Sequence, residues 1–268
     1  MTYTQGIVLG VIQGVTEFLP VSSSGHLILV PYLLGWPDQG LAFDAVMHLG
    51  TLAALVAYFR AELRAIVASV GGGTDGGPMR RLGLLLIAAT VPGGVAGLLL
   101  DKLIEARLRL PVVVALSTLG WALVMLVADR LAAARPGREG GERDVGWEQG
   151  LLVGCAQAVA LIPGTSRSGI TITAGLFGGL DRSTAARFAF LLGIPITAGA
   201  GGLKALHIVR HGVPPGDGGP LAAALLASFL AGWAAVWFLV GYLRRNSLVP
   251  FVVYRVALGL LLLVLIFR

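Results

Sequence analysis

The sequence predicts an all-α integral membrane protein made of two inverted-topology repeats, each a re-entrant helical hairpin followed by three transmembrane helices. Three observations lead there. Apolar runs of membrane-crossing length recur along the chain, two shorter apolar runs are each broken by a polar turn, and the two halves resemble one another when the chain is slid along itself by 144 positions.

Of 268 residues, 56% are hydrophobic and 13% are charged, with a mean hydropathy of +0.84. A soluble domain carries about 25% charged residues. Segments 82–100 and 221–243 contain no charge at all, and about 20 apolar residues match the hydrocarbon thickness of a bilayer. A net charge of +6 is compatible with nucleic acid, but the basic residues lie in short loops beside apolar runs rather than in one patch. That is how topology-setting and lipid-contacting charges are distributed, so no nucleic-acid partner is expected. Cys155 is the single cysteine, which rules out an intramolecular disulfide, and its apolar neighbours predict a packed small hydrophobe.

In chain order, the run 7–19 is too short to cross and stops at Pro20. Val21-Ser22-Ser23-Ser24-Gly25-His26 follows, then a second short run to Gly35. Crossings are predicted at 41–59, 82–100 and 111–128, and the stretch 132–146, rich in Arg, Glu and Gly, reads as a polar linker. The run 151–162 again stops at a proline, Pro163, followed by Gly164-Thr165-Ser166-Arg167-Ser168-Gly169 and a short run to Leu180. Further crossings fall at 184–206, which Pro195 interrupts, at 221–243 and at 250–267, with a polar loop over 207–220. Each short pair reads as a half-helix down, a turn, and a half-helix back. Such turns persist at membrane depth only where protein or a wet cavity surrounds them.

The shift of 144 positions pairs Gly6 with Gly150, Gly10 with Gly154, Gln13 with Gln157, Ser22 with Ser166, Ser24 with Ser168 and Gly25 with Gly169. The chain is therefore read as one membrane domain over 1–268, with repeats of approximately 1–131 and 147–268. Three crossings is an odd number, so the second copy sits upside down relative to the first. Placing Arg60, Arg64, Arg80 and Arg81, then Arg130, Arg135, Arg138 and Arg143, then Arg244 and Arg245 in the cytoplasm puts both termini outside. Lys102, Arg107, Arg109, Lys204 and Arg210 then face outward, against the rule. Inverted repeats with broken helices place a binding site where the two turns meet.

Each turn puts Ser, Thr and Gly at the start of a helix, where open N–H groups and the helix dipole favour an anion. Ser22, Ser24 and Gly25 in one turn, and Thr165, Ser166, Ser168 and Gly169 in the other, are candidate phosphate-binding residues. The bland reading makes them caps and packing residues. Arg167, a charge among apolar half-helices, suits phosphate oxygens with its planar fork. Glu17 lies one helical turn after Gln13, on the same face, where it is placed to hold a divalent cation, orient His26 or pair with Arg167. His26 follows Ser23 by three residues, so either Ser23 attacks with His26 as its base or His26 attacks phosphorus itself. His48, near Asp44, reads as structural; His207 and His211 read as solvated, and Asp181-Arg182-Ser183 as a capped helix start. Gly6, Gly10 and Gly14 repeat at helical spacing and predict close helix packing.

The segment Gln13-Gly14-Val15-Thr16-Glu17-Phe18-Leu19-Pro20-Val21-Ser22-Ser23-Ser24-Gly25-His26, together with Pro163-Gly164-Thr165-Ser166-Arg167-Ser168-Gly169, resembles both signature motifs of the bacterial undecaprenyl-diphosphate phosphatases, the bacitracin-resistance proteins. Length, span pattern and duplication resemble the family over essentially the whole chain. The resemblance implies a homodimeric enzyme of the bacterial inner membrane, dependent on Mg²⁺ or Ca²⁺, whose site opens to the periplasm. Its reaction hydrolyses undecaprenyl diphosphate to undecaprenyl phosphate and phosphate, recycling the cell-wall carrier and withholding bacitracin's target. By motif position it implies Glu17, Ser23, His26 and Arg167 as the catalytic group, with Ser22, Thr165, Ser166 and Ser168 around the phosphates. The first motif often opens with a second glutamate; here that place holds Gln13, a further phosphate-binding candidate that can still bind a phosphate or a water but lowers the charge facing a cation and leaves Glu17 as the principal metal ligand. The rival function is a transporter or flippase of an anionic lipid or other anion, since inverted repeats with broken helices are a transporter architecture. Ser23 and His26 beside Glu17 favour the enzyme, because a transporter needs no nucleophile.

Overall fold

The computed structural model describes residues 1–37, 39–70, 76–108, 110–134, 141–211, 213 and 216–268, without the side chains of 41, 42, 76, 101, 102, 105, 106, 203–205, 207–209 and 211. Residues Arg109, Arg135 and Arg138, most of the linker centre, and the side chains of Lys102, Lys204, His207 and His211 therefore lie outside the described set.

The first hairpin is α1 (Tyr3–Phe18) and α2 (Ser23–Leu34). Thr2 and Gln5 close a capping box at its start, each side chain accepting from the other's backbone N–H. Pro20 ends α1, because the residue before a proline is driven out of the helical region: Leu19 is extended, at φ −64° and ψ 141°. The second hairpin is α7 (Trp147–Val159) and α8 (Arg167–Phe177).

Five long helices carry apolar spans: α5 (Gly76–Arg107), α6 (Pro111–Ala133), α9 (Arg182–His211), α10 (Gly218–Tyr242) and α11 (Val249–Ile266). The sixth expected crossing is α3 (Gly40–Tyr58). Its 19 residues reach about 28 Å at 1.5 Å per residue. Pro195 does not break α9, and the polar loop expected from 207 begins only after this helix ends at His211.

One helix went unread in the sequence. α4 (Arg60–Val70) occupies part of what looked like a charged loop. It carries Arg60, Glu62 and Arg64, so hydropathy hides it, but it packs on α5 with Ile66 against Gly83. A short 3₁₀ turn, Glu142–Asp144, precedes α7.

Packing crosses between the halves. α1 lies along α10 and α7 lies along α5. Glycines permit the approach: a methyl at Gly14 would stand 2.7 Å from both Ser228 O and Gly232 N, and one at Gly154 would run into the Ala89 carbonyl. The close packing expected of Gly6, Gly10 and Gly14 is therefore present. α6 pairs with α11, and α3 lies against α9 and α10.

The outer surface is apolar, with Ile87 65%, Leu98 80% and Trp237 62% exposed. Water would not tolerate such a surface, but lipid does. The protein is multi-pass membrane-embedded. Cys155, expected to be packed, is instead exposed on the outer side of α7, where lipid accepts a small apolar thiol. Several partly buried charges are paired: Arg182 with Asp129 at 2.5 Å, and Arg187 with Glu62 at 2.5 Å and Glu142 at 2.7 Å.

Candidate active site

The two polar turns meet. Ser168 Oγ, at the start of α8, donates to Leu19 O in the first turn at 3.1 Å. Arg255 of α11, only 1% exposed, ties both together. Its guanidinium donates to Pro20 O in the first turn at 3.4 Å and, in the second, to Thr165 O at 3.1 Å and Gly164 O at 3.0 Å, with Thr118 O of α6 at 3.2 Å. A buried arginine whose donors all end on backbone carbonyls fixes the geometry of those carbonyls.

Both turns share a backbone irregularity. Ser22 (φ 72°) and Ser166 (φ 70°), paired by the duplication, are the non-glycine residues with positive φ among those described. Such a conformation costs about 1–3 kcal/mol and persists where surrounding structure over-determines it. Each serine is the N-cap of its half-helix. Ser166 Oγ caps the N–H of Gly169 at 3.2 Å, whereas Ser22 makes no side-chain cap. The first amides of α2 are thus left without a side-chain acceptor, which is how an anion site at a helix start looks before its ligand arrives.

The charged centre lies between the turns. Arg167 Nη2 donates to Glu17 Oε1 at 2.7 Å, while Nη1 donates to Thr197 Oγ1 at 2.6 Å and Gly193 O at 3.0 Å. Those acceptors flank Pro195, whose missing N–H loosens the α9 ladder at this depth. The other oxygen, Glu17 Oε2, accepts from Ser23 Oγ at 2.9 Å and from Gln13 Nε2 at 3.1 Å. His48 Nε2 stands 4.0 Å from the same oxygen. Arg167, Glu17 and Ser23 thus form one chain spanning both hairpins.

Ser23 and His26 do not bond one another. Side chains on a helix lean toward its N-terminus, so the His26 ring folds back onto Ser22 O, with Nδ1 at 2.7 Å, while Ser23 at the helix start faces Glu17 on α1. His26 Nε2 meets Tyr254 Oη at 2.6 Å, with the two rings almost parallel at 8°. Among the candidate phosphate-binding residues, Ser24, Ser166 and Arg167 reach open or half-open surface. Ser22, Gln13, Gly25, Thr165, Ser168 and Gly169 are buried, and Thr165 and Ser168 bond to Ser117 and to Leu19.

His48 was read as structural, yet its ring faces Glu17. Thr197 and Tyr254 were not singled out, and nothing in their local sequence marks them. Arg255 could have been found by the rule that flagged Arg167, since it is a lone charge within an apolar span.

Oxygen donors suited to a hard cation are present. Glu17 supplies a carboxylate, Ser23 a hydroxyl, and Gln13 Oε1 is a buried atom without a partner among the described residues. No group of three His, Cys, Asp or Glu side chains converges among the described residues. A cation here would need oxygens from water or substrate to complete its shell, as Mg²⁺ sites commonly do.

Two half-helix pairs meeting inside a helical shell, with an arginine–carboxylate–serine chain at their junction, define a multi-pass membrane protein with a polar centre at membrane depth. The chain belongs to the bacitracin resistance protein BacA family, whose model matches residues 6–261. It is 48% identical over 269 residues to undecaprenyl-diphosphatase 2 of Stutzerimonas stutzeri, covering 99% of this chain and 98% of that protein. It is 46% identical to the undecaprenyl-diphosphatase of Geobacter metallireducens, over 97% of each chain. Identity is again 46% to the undecaprenyl-diphosphatase of Teredinibacter turnerae, over 96% of this chain and 97% of that one.

Proposed function

We propose that the protein is a membrane phosphohydrolase that converts undecaprenyl diphosphate to undecaprenyl phosphate and inorganic phosphate, recycling the cell-wall lipid carrier and conferring bacitracin resistance. The observation that carries this reading is the continuous chain from Arg167 through Glu17 to Ser23, at 2.7 and 2.9 Å, drawn from both hairpins. It puts a phosphate-binding fork, a proton acceptor and a hydroxyl within hydrogen-bonding reach along one chain.

In this scheme the terminal phosphate lies against Arg167, Ser24, Ser166 and the open amides of α2. Ser23 Oγ attacks its phosphorus and passes its proton to Glu17, to which it is already bonded. The bond to the bridging oxygen breaks and undecaprenyl phosphate leaves. Water then attacks the phosphoserine and gives its proton to His26, held by Ser22 O and Tyr254; the P–Oγ bond breaks, Ser23 Oγ takes back the proton from Glu17, and inorganic phosphate leaves. Direct attack by His26 is the alternative within the same reaction. Glu17 and Gln13 Oε1 would hold a Mg²⁺ or Ca²⁺ ion, which would supply charge neutralisation. Ser22, Gly25, Thr165, Ser168 and Gly169 hold the two turns in shape around the phosphates.

An apolar groove of about 470 Å³ supports a prenyl substrate. Ala96, Leu100 and Ile104 of α5 line it with Val159 and Ile162 at the end of α7, directly before the Arg167 turn. Exchange of hairpin helices between halves, α1 on α10 and α7 on α5, supports the inverted repeat, as do the matched backbones of Ser22 and Ser166. Placement in the bacterial inner membrane, a site opening to the periplasm, contact with membrane lipids and a homodimer complete the reading. A transporter or flippase of the same lipid is the rival, since crossed repeats also suit alternating access. Purified protein given undecaprenyl diphosphate, with and without divalent cation, decides between them. Phosphate release supports the hydrolase; none under any cation condition rejects it.

A further inference from the structure

We infer that His48 is a nitrogen ligand of the divalent cation held by Glu17, making this a mixed nitrogen–oxygen site. The inference deepens the reading above, because Glu17 belongs to both.

The geometry of the imidazole carries it. His48 Nδ1 lies 2.6 Å from Asp44 O, one helical turn back on α3. A carbonyl accepts only, so Nδ1 bears the hydrogen and Nε2 in the neutral ring bears the lone pair. A second hydrogen bond that fixes the tautomer and aims the other nitrogen is the usual support of a metal-binding histidine. Nε2 stands 4.0 Å from another acceptor, Glu17 Oε2. This separation is too long for a hydrogen bond. Two neighbouring donors held at about 2.1 Å from one ion stand about 3.0–3.4 Å apart, so an approach of under about 1 Å brings both onto a shared cation.

A third atom points the same way. Gln13 is fully buried and its Oε1 has no partner among the described residues, while its Nε2 sits 3.1 Å from Glu17 Oε2. Turning the amide over would set its oxygen beside the carboxylate, an arrangement that only a cation stabilises. Arg167 occupies the opposite oxygen, Glu17 Oε1, while Ser23 Oγ at 2.9 Å already donates to Oε2 and would share that oxygen with the ion. Mn²⁺ shares the oxygen preference of Mg²⁺ and Ca²⁺ and so reports on the site as their paramagnetic stand-in, while an imidazole ligand raises the affinity for transition ions such as Zn²⁺ or Ni²⁺.

The test uses the purified full-length protein in detergent, without substrate, titrated with Mn²⁺ and followed by electron paramagnetic resonance. Pulsed spectra of the wild type are expected to show modulation from a directly bound nitrogen. His48→Ala should lose that modulation and weaken Mn²⁺ binding by about tenfold or more, whereas His26→Ala should keep it. His48→Gln, whose amide oxygen reaches the same place, should lose the nitrogen signal yet hold Mg²⁺ affinity within about threefold. An oxygen-only Mn²⁺ spectrum in the wild type, or unchanged Mn²⁺ affinity in His48→Ala, overturns the assignment. Phosphate release is assayed separately, so an inactive protein that still binds Mn²⁺ through nitrogen rejects the phosphohydrolase while leaving this site standing.

Discussion

Glu17 divides its two oxygens between the halves of the site: one takes Arg167, the other takes Ser23 and Gln13. Arg167→Lys preserves a charge for Glu17 but loses the second nitrogen that reaches Thr197 and Gly193. Its kcat in a phosphate-release assay should fall by about 100-fold or more, with the melting temperature little changed; full activity would refute the fork-binding role. Ser23→Ala should lower turnover by about a thousandfold or more, and appreciable turnover in that variant transfers the attack to His26. Tyr254→Phe removes the partner of His26 Nε2 and should lower kcat about tenfold while KM stays near wild type. The acid, serine, histidine and arginine were readable in sequence because charges and nucleophiles among apolar residues stand out. His48 and Tyr254 were not, since only packing turns α3 and α11 toward the turns.

At the scale of elements, the half-helices fold because prolines stop them and glycines let them lie against neighbouring crossings. Gly154→Ala pushes a methyl into the Ala89 carbonyl and should destabilise the protein by about 1–3 kcal/mol, read as a lower melting temperature in detergent. The corner joining α4, the Glu142 turn and α9 answers to pH. Burial alone would raise the Glu142 carboxyl, but hydrogen bonding and attraction from Arg187 outweigh it and leave the carboxyl below its ordinary value. Its contribution is therefore present above the unfolded pKa of 4.5 and lost as pH falls through the depressed folded value. Melting temperature should drop between about pH 5 and pH 3, and Glu142→Gln should flatten that drop. α4 itself escaped the sequence reading because an amphipathic helix lying on α5 carries no crossing-length apolar run.

On the scale of the whole molecule, Arg255 locks two turns from opposite halves of the chain to one another, and the crossed packing of α1 on α10 and α7 on α5 carries them there. Removing divalent cation with a chelator should stop hydrolysis and adding it back should restore the rate; an unchanged rate removes the cation from the scheme. The sequence by itself determined that this is a helical membrane protein, where its long helices run, and that two proline-stopped segments bear the reactive residues. Those features follow from local chemistry: apolar length against bilayer thickness, proline against helix, and charge against hydrocarbon. Tertiary structure alone decided which hydroxyl faces which base. Ser23 and His26 are close in sequence, yet a half-helix start points one at Glu17 and the other at Tyr254, and only the packing of distant helices supplies those partners.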